Sequence, residues 1–192
     1  SWSGERRRPD HSRSSCPGLA RASTGLVVLR TSHDLVTNDP PLPAIYIDAD
    51  ACPVREEVYR VAERVGLAVF VVSNGSRPIL PSRNPLVSMV IVAEGADAAD
   101  DWIAERLTAR DICVTGDIPL ASRCLKKDAR ALAANGKLWT KDNIGQALAG
   151  REVGRYLRET GVNTGGPPPF SKADRSRFLS ALDAVVQAAL RS

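Results

Sequence analysis

From Ala44 to Ser192, short apolar runs alternate with segments of helical periodicity, and this alternation limits the fold more than any other feature of the sequence. Runs rich in β-branched residues predict buried strands, and apolar residues three or four positions apart predict helices. The predicted strands span residues 45–47, 67–72, 86–92, 112–115 and 129–134. The predicted helices span residues 53–66, 97–107, 118–127, 140–160 and 171–190. Because crossover helices connect parallel strands, the pattern predicts a three-layer α/β domain with a mainly parallel central sheet and C-terminal helices.

The first 43 residues differ from the rest in composition. Ser, Arg and Pro dominate them, periodicity is absent, and a proline-rich stretch at 38–43 ends them. This composition predicts a disordered N-terminal extension over 1–43 and one α/β domain over 44–192. Removing residues 1–42 is therefore expected to leave the thermal stability unchanged.

Several classes of protein are disfavoured by the composition. The chain has 43% hydrophobic residues but no apolar run near the roughly 18 residues of a membrane helix, which predicts no membrane association. Four cysteines lack C-x-x-C spacing and nearby histidines, which argues against a zinc site or a disulfide scaffold. No secretory signal is recognisable. These features predict a cytoplasmic protein, and they do not indicate its oligomeric state.

The charge is distributed unevenly along the chain. Residues 44–120 carry 7 Lys and Arg against 12 Asp and Glu, whereas residues 121–192 carry 13 against 6. An acidic half that holds cations and a basic half that holds phosphates would suit a protein that handles a polyanion. The alternative is an ordinary solvated surface of mixed charge.

Aspartates follow two of the predicted strands and begin one of the predicted helices. They are Asp48, Asp50, Asp97, Asp100, Asp101 and Asp117. Loops after parallel strands meet at the carboxyl edge of the sheet, so these side chains are expected to converge. Clustered carboxylates repel unless cations neutralise them, and oxygen donors without Cys or His select Mg²⁺ or Mn²⁺. Such ions activate water, so the pattern predicts metal-dependent phosphodiester hydrolysis.

Helix capping is the structural alternative for most of these acids. Asp97 with Asp100 can form an N-cap and its N3 partner, and Asp117 and Asp50 precede prolines that begin helices. Asp48 is harder to explain as a cap because it directly follows its strand.

Six stretches of the chain match a known family. They are "IDADACPV", "VVSN", "DAADDWI", "VTGDIPLA", "DNIGQALA" and "GVNTGGPPPFSKADRSRF". From about Ile45 onward the chain resembles the YaiI/YqxD family, uncharacterised bacterial proteins grouped with PIN-like domains. The resemblance implies a PIN-like α/β fold and, by analogy, a metal-dependent ribonuclease.

The metal ligands implied by the resemblance are Asp48, Asp97 with Asp100 or Asp101, and Asp117. In the resulting hypothesis Asp48, Asp97 and Asp117 ligate Mg²⁺ or Mn²⁺. The remaining acids, Asp50, Asp100 and Asp101, complete the coordination shell or position the attacking water.

Four further residues are candidates for contact with RNA. Asn74 ends the second strand, while Arg123, Lys126 and Lys127 belong to a basic helix and its exit. Basic side chains can bind the phosphate backbone. A turn at Asn74 and a solvated helix face are the structural alternatives.

Two other functions compete with the nuclease hypothesis. The stretch "DADAC" is similar to the opening of haloacid-dehalogenase-like phosphatases, in which the first Asp attacks phosphorus. That motif also needs a later G-D-x-x-x-D, and here Ala121 replaces its last acid. The other alternative is a non-catalytic RNA-binding module, whose binding would be indifferent to magnesium and to loss of Asp48.

Overall fold

The computed structural model describes residues 41–49, 52–75, 79–92, 95, 97–161 and 169–192. Within them lie six strands, β1 (Ile45–Asp48), β2 (Val69–Ser73), β3 (Val87–Ile91), β4 (Ile112–Val114), β5 (Arg130–Leu132) and β6 (Leu138–Trp139). The helices of the same residues are α1 (Arg55–Val65), α2 (Ala98–Arg106), α3 (Ile118–Lys126), α4 (Lys141–Glu159) and α5 (Lys172–Leu190). Each predicted element is present with its ends within two residues of the expected position. The predicted extension lies, up to residue 40, outside the described residues.

The strands form one sheet in the order β3-β2-β1-β4-β5-β6. The first five strands pair in parallel, and β6 pairs antiparallel to β5. The chain moves from β1 to β2 and β3 on one side and then returns to β4 on the other side. Ligands bind preferentially at such a reversal of strand order, outside the carboxyl ends of the strands.

The helices cover both faces of the sheet, which confirms the three-layer α/β prediction. On one face α1 and α5 bury residues such as Val58 and Phe178 against the strands. On the other face α2, α3 and the start of α4 bury Ile103, Leu120 and Ile144. This double coverage explains why the strands are nearly continuous apolar runs.

The β5–β6 hairpin corrects the sequence-based prediction of one final strand at 129–134. Gly136 makes the turn with φ +86°, and a Cβ there would lie 2.8 Å from the backbone carbonyl carbon of Arg177 in α5. Only glycine allows both the positive φ and this close approach. The Asn135-Gly136 pair is a hairpin signal that could have predicted the additional strand.

Two observations concern membranes and cysteines. Within the part of the chain that is described, no helix has the length and apolar character needed to cross a membrane. Cys52, Cys113 and Cys124 are buried free thiols, and Cys16 lies outside the described residues.

Candidate functional site

A cleft of about 580 Å³ opens at the carboxyl edge of the sheet, where the strand order reverses. Its walls come from the ends of β1 and β2, the start of α2, the β4–α3 connection, the first half of α3 and the middle of α4. The lining residues are Asp48, Asn74, Asp97, Ala99, Asp100, Asp101, Asp117, Pro119, Arg123 and Arg151. Five of the six predicted aspartates therefore line one cleft, and the sixth, Asp50, lies outside the described residues.

Asp48 is held at the end of β1 by a hydrogen bond across the sheet. The residue is only 6% exposed, and its Oδ2 accepts a hydrogen bond from Thr115 Oγ1 at 2.9 Å. Thr115 is itself buried, and its hydroxyl oxygen accepts the backbone N–H of Asp117 at 2.9 Å. The Thr115 hydroxyl thus connects two of the predicted site acids.

Asp117 is both a helix cap and a residue of the cleft. Its Oδ2 accepts the N–H of Leu120 at 3.0 Å at the start of α3, which confirms the capping alternative for this residue. Its Oδ1 accepts from Arg151 Nη1 at 2.5 Å. Capping uses one oxygen of Asp117 and leaves the other facing the cleft residues.

The acids of α2 do not cap their helix. Asp97 occupies the N-cap position, but its side chain makes no cap hydrogen bond, so the predicted cap with Asp100 is wrong. Asp100 lies half-buried one turn further on. Asp101 pairs with Arg123 at an Oδ1 to Nη2 distance of 2.8 Å. Capping therefore does not explain the three acids of this helix.

Negative charge is concentrated enough in the cleft to affect the protonation of Asp100. The pKa of its carboxyl is raised to about 6, mainly by burial and then by the nearby carboxylates of Asp48, Asp117 and Asp97, while Arg123 opposes them. Like charges this close disfavour ionisation. The site would be stabilised by a cation.

The donor set matches Mg²⁺ or Mn²⁺ in chemistry, because it consists of carboxylates and the Asn74 amide without cysteine or histidine. As the side chains stand, the described residues contain no group of three or more Asp, Glu, His or Cys arranged to hold a metal ion. Two of the carboxylates contact arginines instead. The acids share a cleft but do not form a coordination cage.

The predicted RNA-contacting residues separate into two groups. Asn74 and Arg123 line the cleft. Lys126 and Lys127 do not, and Lys127 Nζ donates to the backbone carbonyl of Glu105 at 3.1 Å. These two lysines are exposed outside the lining of the cleft, and their contact with RNA stays a prediction.

Two residues of the cleft region were not anticipated from the sequence, Thr115 and Arg151. Thr115 stands in the stretch "VTGDIPLA" beside a predicted site acid. Arg151 lies seven residues after Ile144 and three after Leu148, so helical periodicity places it on the same face of α4 as those packed residues. That periodicity could have identified it.

The fold and the cleft together define a three-layer α/β protein with an acidic site at the reversal of strand order. The chain belongs to a family described as "Uncharacterized BCR, YaiI/YqxD family", whose model matches residues 46–188. This result confirms the resemblance found in the sequence motifs.

Relatives from several bacteria align with this chain over nearly the whole of their own length. A UPF0178 protein of Paramagnetospirillum magneticum is 58% identical over 77% of this chain and 96% of its own. One from Parvibaculum lavamentivorans is 56% identical over 77% of this chain and 95% of its own. One from a Caulobacter species is 51% identical over 78% of this chain and 98% of its own.

Proposed function

We propose that the protein is a divalent-cation-dependent nuclease that hydrolyses phosphodiester bonds of RNA in the acidic cleft. The observation that supports this proposal is the convergence of five aspartates with two arginines in a single cleft at the carboxyl edge of the sheet. Acids can hold a cation and arginines can hold phosphate oxygens, so both halves of the required chemistry are present.

Each side chain has a role in this proposal. Asp48, Asp97 and Asp117 hold the Mg²⁺ or Mn²⁺ ion, and Asp100 and Asp101 complete the shell or orient the attacking water. A bound divalent ion supplies an activated water and stabilises charge on the phosphoryl group. Thr115 keeps Asp48 and Asp117 in their relative positions through its hydroxyl.

The cleft also contains groups suited to the substrate. Arg123 and Arg151 line it, and their guanidinium groups match phosphate in charge and geometry. Asn74 adds an amide that can donate to phosphate or sugar oxygens. The backbone of RNA is the ligand class that this combination favours.

The phosphatase alternative is weakened by one position. Its motif requires an acid where this chain has Ala121, and Ala121 is completely buried in α3. A carboxylate at that position would lie in the helix–sheet core rather than in the cleft.

Calorimetric titration with MnCl₂ and MgCl₂ tests the proposal, with Asp48→Asn and Asp117→Asn beside the wild type. Asn keeps an oxygen acceptor for Thr115 at position 48 and is an effective N-cap at position 117, so both variants should fold. We expect stoichiometric binding in the wild type and its loss in both variants. Asp48→Asn should also lower cleavage of a labelled RNA by at least about 100-fold.

Asp128→Asn is the matched control. Asp128 is an exposed aspartate that pairs with Lys141 outside the cleft, so its loss should change neither binding nor cleavage. Cleavage that is unchanged in Asp48→Asn would contradict the nuclease proposal. RNA binding that needs neither the ion nor Asp48 would instead indicate a non-catalytic binding module.

A further inference from the structure

Arg151 already occupies the place that a cation would take beside Asp117. Its Nη1 lies 2.5 Å from Asp117 Oδ1, while Asp117 Oδ2 accepts the N–H of Leu120. Both carboxylate oxygens are therefore engaged. A divalent ion that approaches Oδ1 from the cleft therefore competes with Arg151 for this oxygen.

We propose that Arg151 is an internal counter-cation that neutralises Asp117 in the ion-free protein and is released to bind a substrate phosphate when a divalent ion replaces it. This inference rests on the proposed function and adds regulation to the same site. Binding of the ion and binding of the polyanion then become coupled through one side chain, because the event that occupies Asp117 also frees the arginine.

The packing of α4 places Arg151 in this position. Ile144, Ala147 and Leu148 pack against the core of the sheet face that carries α2 and α3. Arg151 continues the same face of the helix, whereas Val153 and Tyr156 are on other faces and are 59% and 65% exposed. The arginine side chain is 47% exposed, so it can change partners without unpacking the helix.

The charges of the cleft permit the exchange. Among the described residues of the cleft, five aspartates face two arginines, and Arg123 pairs with Asp101 in the second ion pair. An excess of negative charge remains among these residues when both pairs are formed, so the two arginines reduce the attraction for a divalent ion without abolishing it. A partly exposed ion pair contributes little stability, so Arg151 is readily displaced.

Arg155 provides a control on the same helix. It lies one turn beyond Arg151 and does not line the cleft. Its guanidinium contacts Glu152 at 2.6 Å and Glu159 at 4.0 Å, both on α4 itself. Replacing Arg155 by Gln removes the same charge from the protein but leaves the Asp117 contact in place.

The first experiment titrates the full chain with MnCl₂ and compares wild type, Arg151→Gln and Arg155→Gln. Removing the competing arginine should tighten Mn²⁺ binding roughly three- to fivefold in Arg151→Gln, and Arg155→Gln should match the wild type. Equal or weaker binding by Arg151→Gln, with a wild type that binds, would overturn the counter-cation while leaving the proposed function intact. If none of the three proteins binds Mn²⁺, the proposed function fails. The second experiment then tests by itself whether Arg151 is released from Asp117 to bind RNA.

The second experiment measures binding of a fluorescent single-stranded RNA of about 12 nucleotides in EDTA. Asp117→Asn should release Arg151 and tighten RNA binding severalfold, and this gain should be at least about threefold smaller when Arg151 is already Gln. Equal gains in the two backgrounds would overturn the proposal, because they would reflect only the loss of a negative charge. Thermal melting of all four proteins verifies that each is folded.

Discussion

Asp48 and Glu57 are both buried acidic residues, one at the end of β1 and the other in the first turn of α1. The charged side chains around Asp48 are mainly acidic, whereas those that contact Glu57 are basic. Asp48 is 6% exposed and Glu57 is 1% exposed. Asp48 lines a cleft that contains four other aspartates. Glu57 Oε1 accepts from Arg60 at 3.2 Å and from Arg175 of α5. The two carboxylates are thus similarly buried, but Asp48 lies among other carboxylates whereas Glu57 lies between arginines.

The difference distinguishes a structural carboxylate from a candidate functional one. Burying a charge is costly unless an opposite charge compensates it. The two arginines compensate Glu57, and their contacts connect α1 to α5 on one face of the sheet. Among the described residues that line the cleft, carboxylates outnumber arginines, and under the proposed function this excess would favour binding of a cation. Stability dominates at Glu57, and ligand binding is expected to dominate at Asp48.

Removing Arg175 should produce the largest change in stability. Arg175→Ala leaves the buried Glu57 with Arg60 alone, and Glu57 Oε2 already has no hydrogen-bond partner in the described part of the chain. We expect the free energy of unfolding to fall by about 2–3 kcal/mol, measured by urea denaturation.

The matched control is Arg64→Ala. Arg64 also connects α1 to α5, through Asp183, but both residues of this pair are exposed, so the loss should be at most about 1 kcal/mol. Equal losses in the two variants would show that burial of Glu57 does not govern its pairing, and the comparison with Asp48 would fail.

Thr115→Val should have a smaller effect on stability, and this effect should arise at the cleft that contains Asp48. The change removes the hydroxyl that donates to Asp48 and accepts from the Asp117 N–H, leaving two polar groups short of a partner. The expected loss is about 1–2 kcal/mol in the free energy of unfolding. Thr115→Ser keeps the hydroxyl and should recover most of it, whereas a loss in Ser as large as that in Val would show that the hydroxyl contributes no more than the methyl group that Ser lacks.

The framework of the site was predictable because it depends on strands long enough to show a pattern. A buried run such as the one that ends at Asp48 has a recognisable carboxyl end, and parallel strands bring such ends together. The strand β6 spans only Leu138–Trp139, which is too short for any periodicity to reveal. Its signal lay in the Asn135-Gly136 turn.

The partners of the acids were harder to predict than the acids themselves. Arg151 meets Asp117 from 34 residues away, and only the relative placement of α3 and α4 decides that contact. The lysines at 126 and 127 share the basic character of Arg123, but they lie one turn further along the helix axis, away from the carboxyl edge of the sheet, and do not line the cleft. Composition indicates that a basic helix exists, and helix packing decides which of its residues reach the cleft.

Asp100→Asn gives the smallest and most pH-specific test, because it removes one like charge from the cleft. In the folded protein the pKa of Asp100 is raised from 3.8 to about 6, so the stability that depends on its protonated form is fully present below pH 3.8 and is lost as pH rises through about 6. The full shift corresponds to roughly 3 kcal/mol, and solvent screening of this half-buried group reduces the expected gain for Asn to about 1 kcal/mol at pH 7. The gain should disappear near pH 3.5, as measured by urea denaturation in EDTA.

Asp101→Asn is the matched control. It loses the same favourable interaction with the start of α2 but breaks an ion pair with Arg123, so it should give no gain at pH 7. A gain for Asp100→Asn that persists at low pH would mean that carboxylate repulsion is not its cause, and the cleft would then resemble the Glu57 region more closely than its charges indicate.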